Sequence, residues 1–302
     1  MYSNATETIS SELHQVDEKI LEILSKNQNI LTQNFISYIL TGSKKIRSTI
    51  SILSVKALNE SFSSKQASIC AISEIIHNAS LIHDDIIDNS EQRRGKPSFN
   101  NIFGNSAAVL SGDFLISVVL KELLSLNNQT ILKRYIETFS TLCAGEINQL
   151  GEKNKIISVD EYIEKTERKT AELFKTTLFS TFYTENLYEN ITFAENFAKN
   201  FGIAFQIRDD ILDITQKSTG KPVLSDLNNG IYTLPVIIFA EEKNITNPQK
   251  INLSDLQNSC AISKAVDLCA KYANRALDLL EHFSDNQYAK ALKNLCEELK
   301  RI

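Results

Sequence analysis

Two acidic motifs of the form DDxxD stand out in a sequence that is otherwise rich in apolar residues. They run from Asp84 to Asp88 and from Asp209 to Asp213. Positions i and i+4 of a helix share a face, so the outer aspartates of each motif direct two carboxylates to one side. Clustered acids among apolar neighbours require a cation, and Mg²⁺ favours carboxylate oxygens completed by phosphate oxygens. The motifs therefore predict magnesium sites that receive a diphosphate.

For either motif alone, a helix surface paired with lysine or arginine is an equally good interpretation. Two such motifs in apolar settings favour metal binding. The sequences around the two motifs are also similar, since LIHDDIID at 81–88 resembles QIRDDILD at 206–213. The motifs lie 125 positions apart, so we expect them on different helices that face one cavity.

Basic and polar residues that suit a diphosphate lie near breaks in the helical pattern. Arginine is favoured for bidentate phosphate contact, and lysine, histidine, threonine and glutamine can add hydrogen bonds. Taken singly, each candidate also suits a solvated surface or, for the histidine, a structural role. The candidates are Lys44, Arg47, His77, Arg93, Arg94, Lys169, Thr170, Gln206 and Lys221.

The pattern of the whole chain predicts an all-α protein with a single domain over residues 1–302. Apolar residues recur at spacings of three and four, and the 302 residues include only 9 glycines and 4 prolines. No proline-rich or low-complexity linker divides the sequence. Breaks are predicted near 42–43, 91–104, 151–158, 216–230 and 244–258.

Composition excludes several classes of protein. A net charge of −5 gives no basic footprint for nucleic acid. Five scattered cysteines without a CxxC pair argue against a disulfide framework and a zinc site, and they fit a reducing compartment. The first residues lack an apolar signal-peptide core, and the most apolar stretch, 107–120, is too short to span a bilayer. We expect a soluble, cytoplasmic protein.

Taken in order, these motifs resemble the trans-isoprenyl diphosphate synthases, or polyprenyl synthetases, and most closely their long-chain, octaprenyl-like members. The resemblance extends over nearly the whole chain. The matching residues are Gly42 to Arg47, the first DDxxD with Arg93-Arg94-Gly95, Gly112-Asp113, Gly145-Glu146 with Gln149, Lys169-Thr170-Ala171, the second DDxxD, Gly220-Lys221-Pro222 and Thr233-Leu234-Pro235.

The resemblance implies a bundle of long, mostly antiparallel helices around a deep central cavity, usually in a homodimer. It also implies three Mg²⁺ ions, bound chiefly by Asp84, Asp88 and Asp209, with Asp85, Asp210 and Asp213 in supporting roles. By the same resemblance, the allylic diphosphate substrate would contact Arg93, Lys169, Thr170, Gln206 and Lys221. Isopentenyl diphosphate would contact Lys44, Arg47, His77 and Arg94. Metal-assisted ionisation, condensation and proton loss would then lengthen the chain.

Two positions depart from the family pattern. Ser43 replaces the second glycine of the first basic motif, and Ile231 replaces a lysine that often follows Gly230. The isoleucine removes a cation that would help to hold the allylic diphosphate. Lys169 and Lys221 remain, so we expect activity to persist.

Three other functions stay open. A class I terpene cyclase shares the first DDxxD, but its second metal motif typically combines Asn or Asp, Ser or Thr, and Glu. A non-catalytic subunit of a heteromeric synthase should have lost one aspartate cluster, and both are present here. A catalytic subunit that needs a separate partner chain would keep all the motifs.

The residues one turn before Asp84 predict the length of the product. These are Ala79 and Ser80, whereas short-chain members tend to place aromatic residues there as a floor. Two small side chains therefore suggest an open passage and a product longer than geranylgeranyl, which could pass to a membrane. A floor further along could come from Ile72, Ile76, Phe114 or Val118.

We predict that Ala79→Phe shortens the product, because the added ring would fill the path of the growing chain. Chromatographic sizing of products from the variant and the parent chain tests this. An unchanged product distribution would refute the passage at this position.

Overall fold

The computed structural model describes residues 3–41, 43–58, 60–215, 230–246, 251–281, 283 and 285–302. Within these ranges the chain is helical except for connecting segments and one two-stranded ribbon, in which β1 (Gln92–Arg93) pairs antiparallel with β2 (Lys96–Pro97). The all-α prediction is confirmed. None of the described helices combines the length and apolar character needed to cross a membrane.

Fifteen α-helices are described, and two short turns of other helical types interrupt them. In chain order the helices are α1 (Ser3–Thr8), α2 (Ser10–Ser25), α3 (Thr32–Leu40), α4 (Ile46–Ala57), α5 (Ser64–Ile87), α6 (Phe99–Phe103), α7 (Asn105–Ser125), α8 (Gln129–Glu152), α9 (Val159–Thr166), α10 (Glu172–Tyr183), α11 (Ile191–Thr215), α12 (Leu234–Lys243), α13 (Leu253–Gln257), α14 (Ala261–Asp278) and α15 (Gln287–Leu299). A π-helical turn occupies Glu167–Ala171, and a 3₁₀ turn occupies Tyr188–Asn190.

The chain forms two compact units. The first comprises Met1–Ile136, Thr176–Glu195 and His282–Leu295, and the second comprises Glu137–Lys175, Asn196–Glu281 and Cys296–Ile302. Each unit contains one DDxxD motif. The predicted single domain over 1–302 stays a prediction.

Helix α5 is the centre of the first unit. Its start is fixed by a capping box, in which the Ser63 hydroxyl accepts the backbone N–H of Gln66 and the Gln66 side chain accepts the N–H of Ser63. Its long apolar face packs against α2 and α7, with further contacts to α3 and α4. The last turn of α5, which carries the first DDxxD motif, is thus held at the end of a buried helix.

Helix α7 approaches α5 closely because Gly112 has no side chain. A Cβ at this position would lie 2.1 Å from Nε2 of the His83 ring. The ring occupies that space, with Nε2 3.3 Å from the carbonyl oxygen of Val109. His83 therefore packs against α7 next to Asp84.

The second unit is built around α11, α12, α14 and the π-helical turn. Helix α11 packs on the turn through Gly202, where a Cβ would lie 2.8 Å from Cα of Ala171. Phe174 contacts the rings of Phe201 and Phe205 at centroid distances of 5.9 Å. This packing brings the polar residues of the turn next to the second DDxxD motif.

We predict that Gly202→Ala lowers the free energy of unfolding by about 1–3 kcal/mol, because the new methyl group would press on the backbone of Ala171. The matched control is Gly145→Ala in α8, where a Cβ would meet no atom within 4 Å. That control should be neutral or stabilising by up to about 1 kcal/mol, since alanine favours helix. Urea unfolding of both variants measures the difference, and equal stabilities would contradict the close approach.

Candidate active site

The first acidic motif lies at the C-terminal end of α5. Asp84 lies in its last turn and Asp88 caps it, and the N–H of Asp88 donates to the carbonyl of Asp84 at 2.8 Å. Both side chains are partly exposed, whereas Asp85 is fully buried. The structure thus separates the outer aspartates of this motif, which can reach a ligand, from the middle one.

The carboxylate of Asp85 accepts hydrogen bonds from Arg93. The guanidinium donates through Nε at 2.9 Å and also through Nη2. Desolvation would lower the pKa of Arg93, but its bond to Asp85 raises it above the ordinary value. Arg94 and Gly95, which connect β1 to β2, adopt positive φ angles of 54° and 72°, and this tight turn folds Arg93 back onto α5. Arg93, predicted to bind diphosphate, is therefore first of all the counter-charge of a buried carboxylate.

A cationic cluster of Arg47, His77, Arg93 and Arg94 lies in the first unit. Desolvation, followed by the positive charges of Arg47, Arg94 and Arg93, holds the pKa of His77 well below its usual range. The ring is therefore neutral near pH 7 and can donate one N–H. Arg47 is buried and Lys44, just before it in the chain, is exposed. Arg47, His77, Arg93 and Arg94 are brought together here, and the positive charge of the three arginines suits an anion.

Sequence reasoning missed Glu74, a buried carboxylate on α5. It accepts the Ser48 hydroxyl at 2.8 Å and the Ser48 backbone N–H at 3.4 Å. Helix α4 begins at Ile46, and the residue before it makes no side-chain cap. Glu74, which belongs to another helix, therefore accepts hydrogen bonds from the first turn of α4 in place of a capping residue. Its bond fixes the turn that carries Arg47. The sequence signal that could have identified Glu74 is its position one turn before His77 on the same helix face.

The second acidic motif lies at the end of α11 and repeats the division of roles. Asp209 is exposed and Asp213 partly exposed, but Asp210 is buried. Asp210 accepts hydrogen bonds from the Tyr162 hydroxyl at 2.6 Å, from Nε2 of Gln206 at 2.8 Å and from the backbone N–H of Leu234 at 3.3 Å. Tyr162 was not among the predicted site residues.

The π-helical turn presents Lys169 and Thr170 within the same unit. Thr170 donates from its hydroxyl to Oε1 of Gln206 at 2.7 Å. Lys169 lies 2.6 Å from a carboxylate oxygen of Glu146 and 3.4 Å from Oε1 of Gln149. A π turn widens a helix locally and is frequent at functional sites. The structure thus gathers Lys169, Thr170 and Gln206 around the second motif, while Gly42, Gly220, Lys221 and Pro222 lie outside the described residues.

Ala79, Ser80 and Ile231, at which the sequence predicts a product passage and a departure from the family pattern, lie among the described residues. Ala79 is buried with 1% of its surface exposed, and Ser80 is partly exposed, with its hydroxyl donating to the carbonyl of His77 at 2.8 Å. Ile231 lines a shallow pocket together with two lysines, Lys155 and Lys165. These cations lie beside the position where a lysine was expected.

The donor sets of both motifs fit a hard divalent cation. Outer carboxylates one helical turn apart supply the oxygen ligands that Mg²⁺ prefers. Within the described ranges, no three acidic, histidine or cysteine side chains converge on one metal position. Mg²⁺ usually completes its ligand set with water and substrate phosphate.

Comparison with known proteins decides the family. The model of the family described as polyprenyl synthetase matches residues 28–271, which is most of the chain. The chain belongs to this family. Members use allylic and isopentenyl diphosphates and a divalent metal, so the chain is a prenyltransferase, as its motifs predicted.

The similarity to curated relatives extends over almost the full length of the polyprenyl synthetase chain. It is 32% identical to a prenyl transferase of Cyanidium caldarium, covering 98% of this chain and 97% of the relative. Subunit 1 of a decaprenyl-diphosphate synthase from Schizosaccharomyces pombe is 30% identical, with 98% and 90% covered. Among solved structures, heptaprenyl diphosphate synthase from Staphylococcus aureus matches with a TM-score of 0.88, 26% identity and 97% and 98% coverage. These relatives confirm the predicted family and its isoprenoid synthase fold.

We predict that Arg93→Ala lowers the free energy of unfolding by about 3–5 kcal/mol, because it leaves the Asp85 carboxylate buried without its counter-charge. Arg94→Ala is the matched control. It removes the neighbouring, exposed guanidinium and should change the stability by less than about 1 kcal/mol. Urea unfolding tests both variants, and equal losses would show that the Arg93–Asp85 pair does not stabilise the fold.

Proposed function

We propose that this protein condenses an allylic diphosphate with isopentenyl diphosphate, in a Mg²⁺-dependent reaction, to give a long-chain, all-trans polyprenyl diphosphate. The observation that carries the proposal is the same in both motifs: the middle aspartate is buried in hydrogen bonds, and the outer aspartates reach the surface. Diphosphate-binding residues accompany each motif in its own unit. Two sets of diphosphate-binding residues, one beside each motif, suit a reaction with two phosphorylated substrates.

In the second unit, Lys169, Thr170 and Gln206 bind the allylic diphosphate. The outer carboxylates of each motif, Asp84 and Asp88 in the first and Asp209 in the second, would hold Mg²⁺, which would supply neutralisation of the diphosphate charge. Lys169 contributes an ammonium charge, and the Gln206 amide, which keeps a second N–H beside its bond to Asp210, can donate to a diphosphate oxygen while Thr170 holds the amide in place. These residues favour the state in which the allylic C–O bond has broken, since negative charge then grows on the leaving group.

In the first unit, Arg47, His77 and Arg94 hold isopentenyl diphosphate. The arginines suit bidentate phosphate contact, and the neutral His77 adds an N–H donor. The homoallylic double bond captures the allylic cation and forms the new C–C bond. Loss of a proton, which passes to the departed diphosphate, then restores an alkene. The reaction requires an apolar environment that keeps water from the cation.

Small residues and similar proteins support a long product. Ala79 and Ser80 leave room one turn before Asp84, and the relatives from S. pombe and S. aureus are decaprenyl and heptaprenyl synthases by name. All five cysteines are free thiols, which supports our proposal of a cytoplasmic location. The product would then pass to a membrane.

A homodimer is the proposed assembly. Apolar side chains stay exposed on the first unit at Ile102, Val109, Leu110, Leu124 and Ile136, and Leu110 is 69% exposed. Contiguous exposed apolar patches mark interaction surfaces, and we expect these side chains to contribute to one. The S. pombe relative is called subunit 1, so a heteromeric synthase in which this chain is the catalytic subunit is the second candidate.

The purified chain, incubated with farnesyl diphosphate, labelled isopentenyl diphosphate and Mg²⁺, should give labelled polyprenyl products. Asp84→Asn and Asp209→Asn should each reduce turnover on the order of a thousandfold, because each loses a metal ligand that stabilises the leaving group. Asp267→Asn, on the exposed face of α14, is the matched control and should retain full activity. Chromatographic sizing of the products gives the chain length.

Each contrary outcome has a distinct meaning. Full activity of Asp84→Asn or Asp209→Asn would refute the metal assignment. Cyclised hydrocarbon without isopentenyl incorporation would indicate a terpene cyclase. Incorporation only after a partner chain is added would identify a heteromeric synthase.

A further inference from the structure

Tyr162 is a buried tyrosine of α9 to which none of the diphosphate-binding motifs assigns a role. It is 5% exposed, and its hydroxyl donates to Oδ2 of Asp210 at 2.6 Å. Desolvation, followed by the charge of Asp210, raises the pKa of Tyr162 well above its ordinary value. The phenol therefore stays protonated at all physiological pH values, and towards a carboxylate it acts as a donor.

A chain of hydrogen bonds leads from this hydroxyl to the diphosphate-binding residues. Asp210 accepts Nε2 of Gln206 on its other oxygen, Oδ1, at 2.8 Å. Gln206 in turn accepts the Thr170 hydroxyl on Oε1 at 2.7 Å. Three elements, α9, α11 and the π-helical turn, are thus joined by side chains alone.

This chain fixes the direction of the Gln206 amide. Its nitrogen faces a carboxylate, and its oxygen faces a hydroxyl that donates. A reversed amide would set oxygen against the Asp210 carboxylate, which is unfavourable in a buried site. The orientation of Gln206 therefore depends on the orientation of the Asp210 carboxylate.

The Asp210 carboxylate is fixed in turn by donors to Oδ2. Among them are the Tyr162 hydroxyl and the Leu234 backbone N–H, and the backbone contact is the longer of these two at 3.3 Å. Tyr162 thus supplies the shorter of these bonds. Without it, the carboxylate can rotate to seek other donors, and Gln206 and Thr170 lose their shared orientation.

We propose that Tyr162 is a positioning residue for the allylic diphosphate, acting through Asp210 on Gln206 and Thr170. The role rests on the proposed function, because it assumes that the second N–H of the Gln206 amide, held in place by Thr170 and Asp210, contacts that substrate. Asp210 then works as an orienting carboxylate, while Asp209 faces the metal.

Tyr162→Phe removes only the hydroxyl and keeps the ring in the core. The KM for farnesyl diphosphate should rise about tenfold, as expected for a lost hydrogen bond to a charged group. The KM for isopentenyl diphosphate should stay within about twofold of its original value, because its predicted residues lie on other elements. Steady-state kinetics with each substrate varied in turn measures both constants.

The matched control is Tyr135→Phe. Tyr135 is also fully buried, and its hydroxyl lies 2.8 Å from that of Ser73 in the first unit. This variant loses a buried hydroxyl without touching the Asp210 chain, so both KM values should stay unchanged. A rise in both KM values in Tyr162→Phe, or no rise for farnesyl diphosphate, would overturn the proposal.

Asp210→Asn provides a second, independent variant. As a positioning carboxylate, its loss should raise the KM for farnesyl diphosphate and leave the Mg²⁺ concentration for half-maximal activity unchanged. A large increase in that Mg²⁺ concentration would instead make Asp210 a metal ligand and overturn the role given to it here.

The activity of the parent chain distinguishes a failure of the proposed function from a failure of the role proposed for Tyr162. If the parent incorporates no isopentenyl diphosphate, the same comparison is made by calorimetric binding of farnesyl diphosphate with Mg²⁺. About tenfold weaker binding to Tyr162→Phe than to the parent would support the positioning role. Equal binding, or no binding to either chain, would overturn it.

Discussion

Each DDxxD motif places three carboxylates within little more than one turn of a largely apolar helix, and the structure must compensate that charge. Burial of an acid without a partner costs several kcal/mol. The chain meets this constraint in two ways at each motif. The outer aspartates keep access to the surface, where a cation can reach them, and the middle aspartate turns inward to donors that the protein supplies.

The donors differ between the motifs. Asp85 takes a full counter-charge from Arg93, whereas Asp210 takes neutral donors from Tyr162, Gln206 and Leu234. A salt bridge holds the first carboxylate and its following turn together. Donors to the second carboxylate include a phenol, a side-chain amide and a backbone N–H, which come from three different elements. The two motifs thus bury their middle aspartates against different kinds of donor.

Much of the fold and many of the site residues were predictable from sequence. Three- and four-residue apolar spacing predicts the helices, because burial of one face repeats at that period. The break after Asp88 is visible in a charged, glycine-containing segment, where the structure has its β-ribbon. Motif order was enough to gather Lys169, Thr170 and Gln206 into one group.

The contacts of the inward-facing residues could not be predicted. Sequence alone does not show on which side of α5 Asp85 lies, so its pairing with Arg93 was missed and the arginine was assigned to a ligand. Glu74 and Tyr162 occur in ordinary amphipathic segments, where an acid or a phenol can have many different structural roles. Their roles depend on distances between elements far apart in the chain, and those distances arise only from packing.

The π-helical turn at Glu167–Ala171 has a consequence for how such chains diverge. A π turn holds one more residue than a regular turn, so every side chain after it is rotated by about 100° relative to an uninterrupted helix. The face that α10 buries is therefore set by a residue count upstream of it. Loss of one residue there during evolution would restore regular geometry but rotate Phe174 and Phe182 of α10 away from their buried positions, so natural selection has a reason to keep the length of this segment constant.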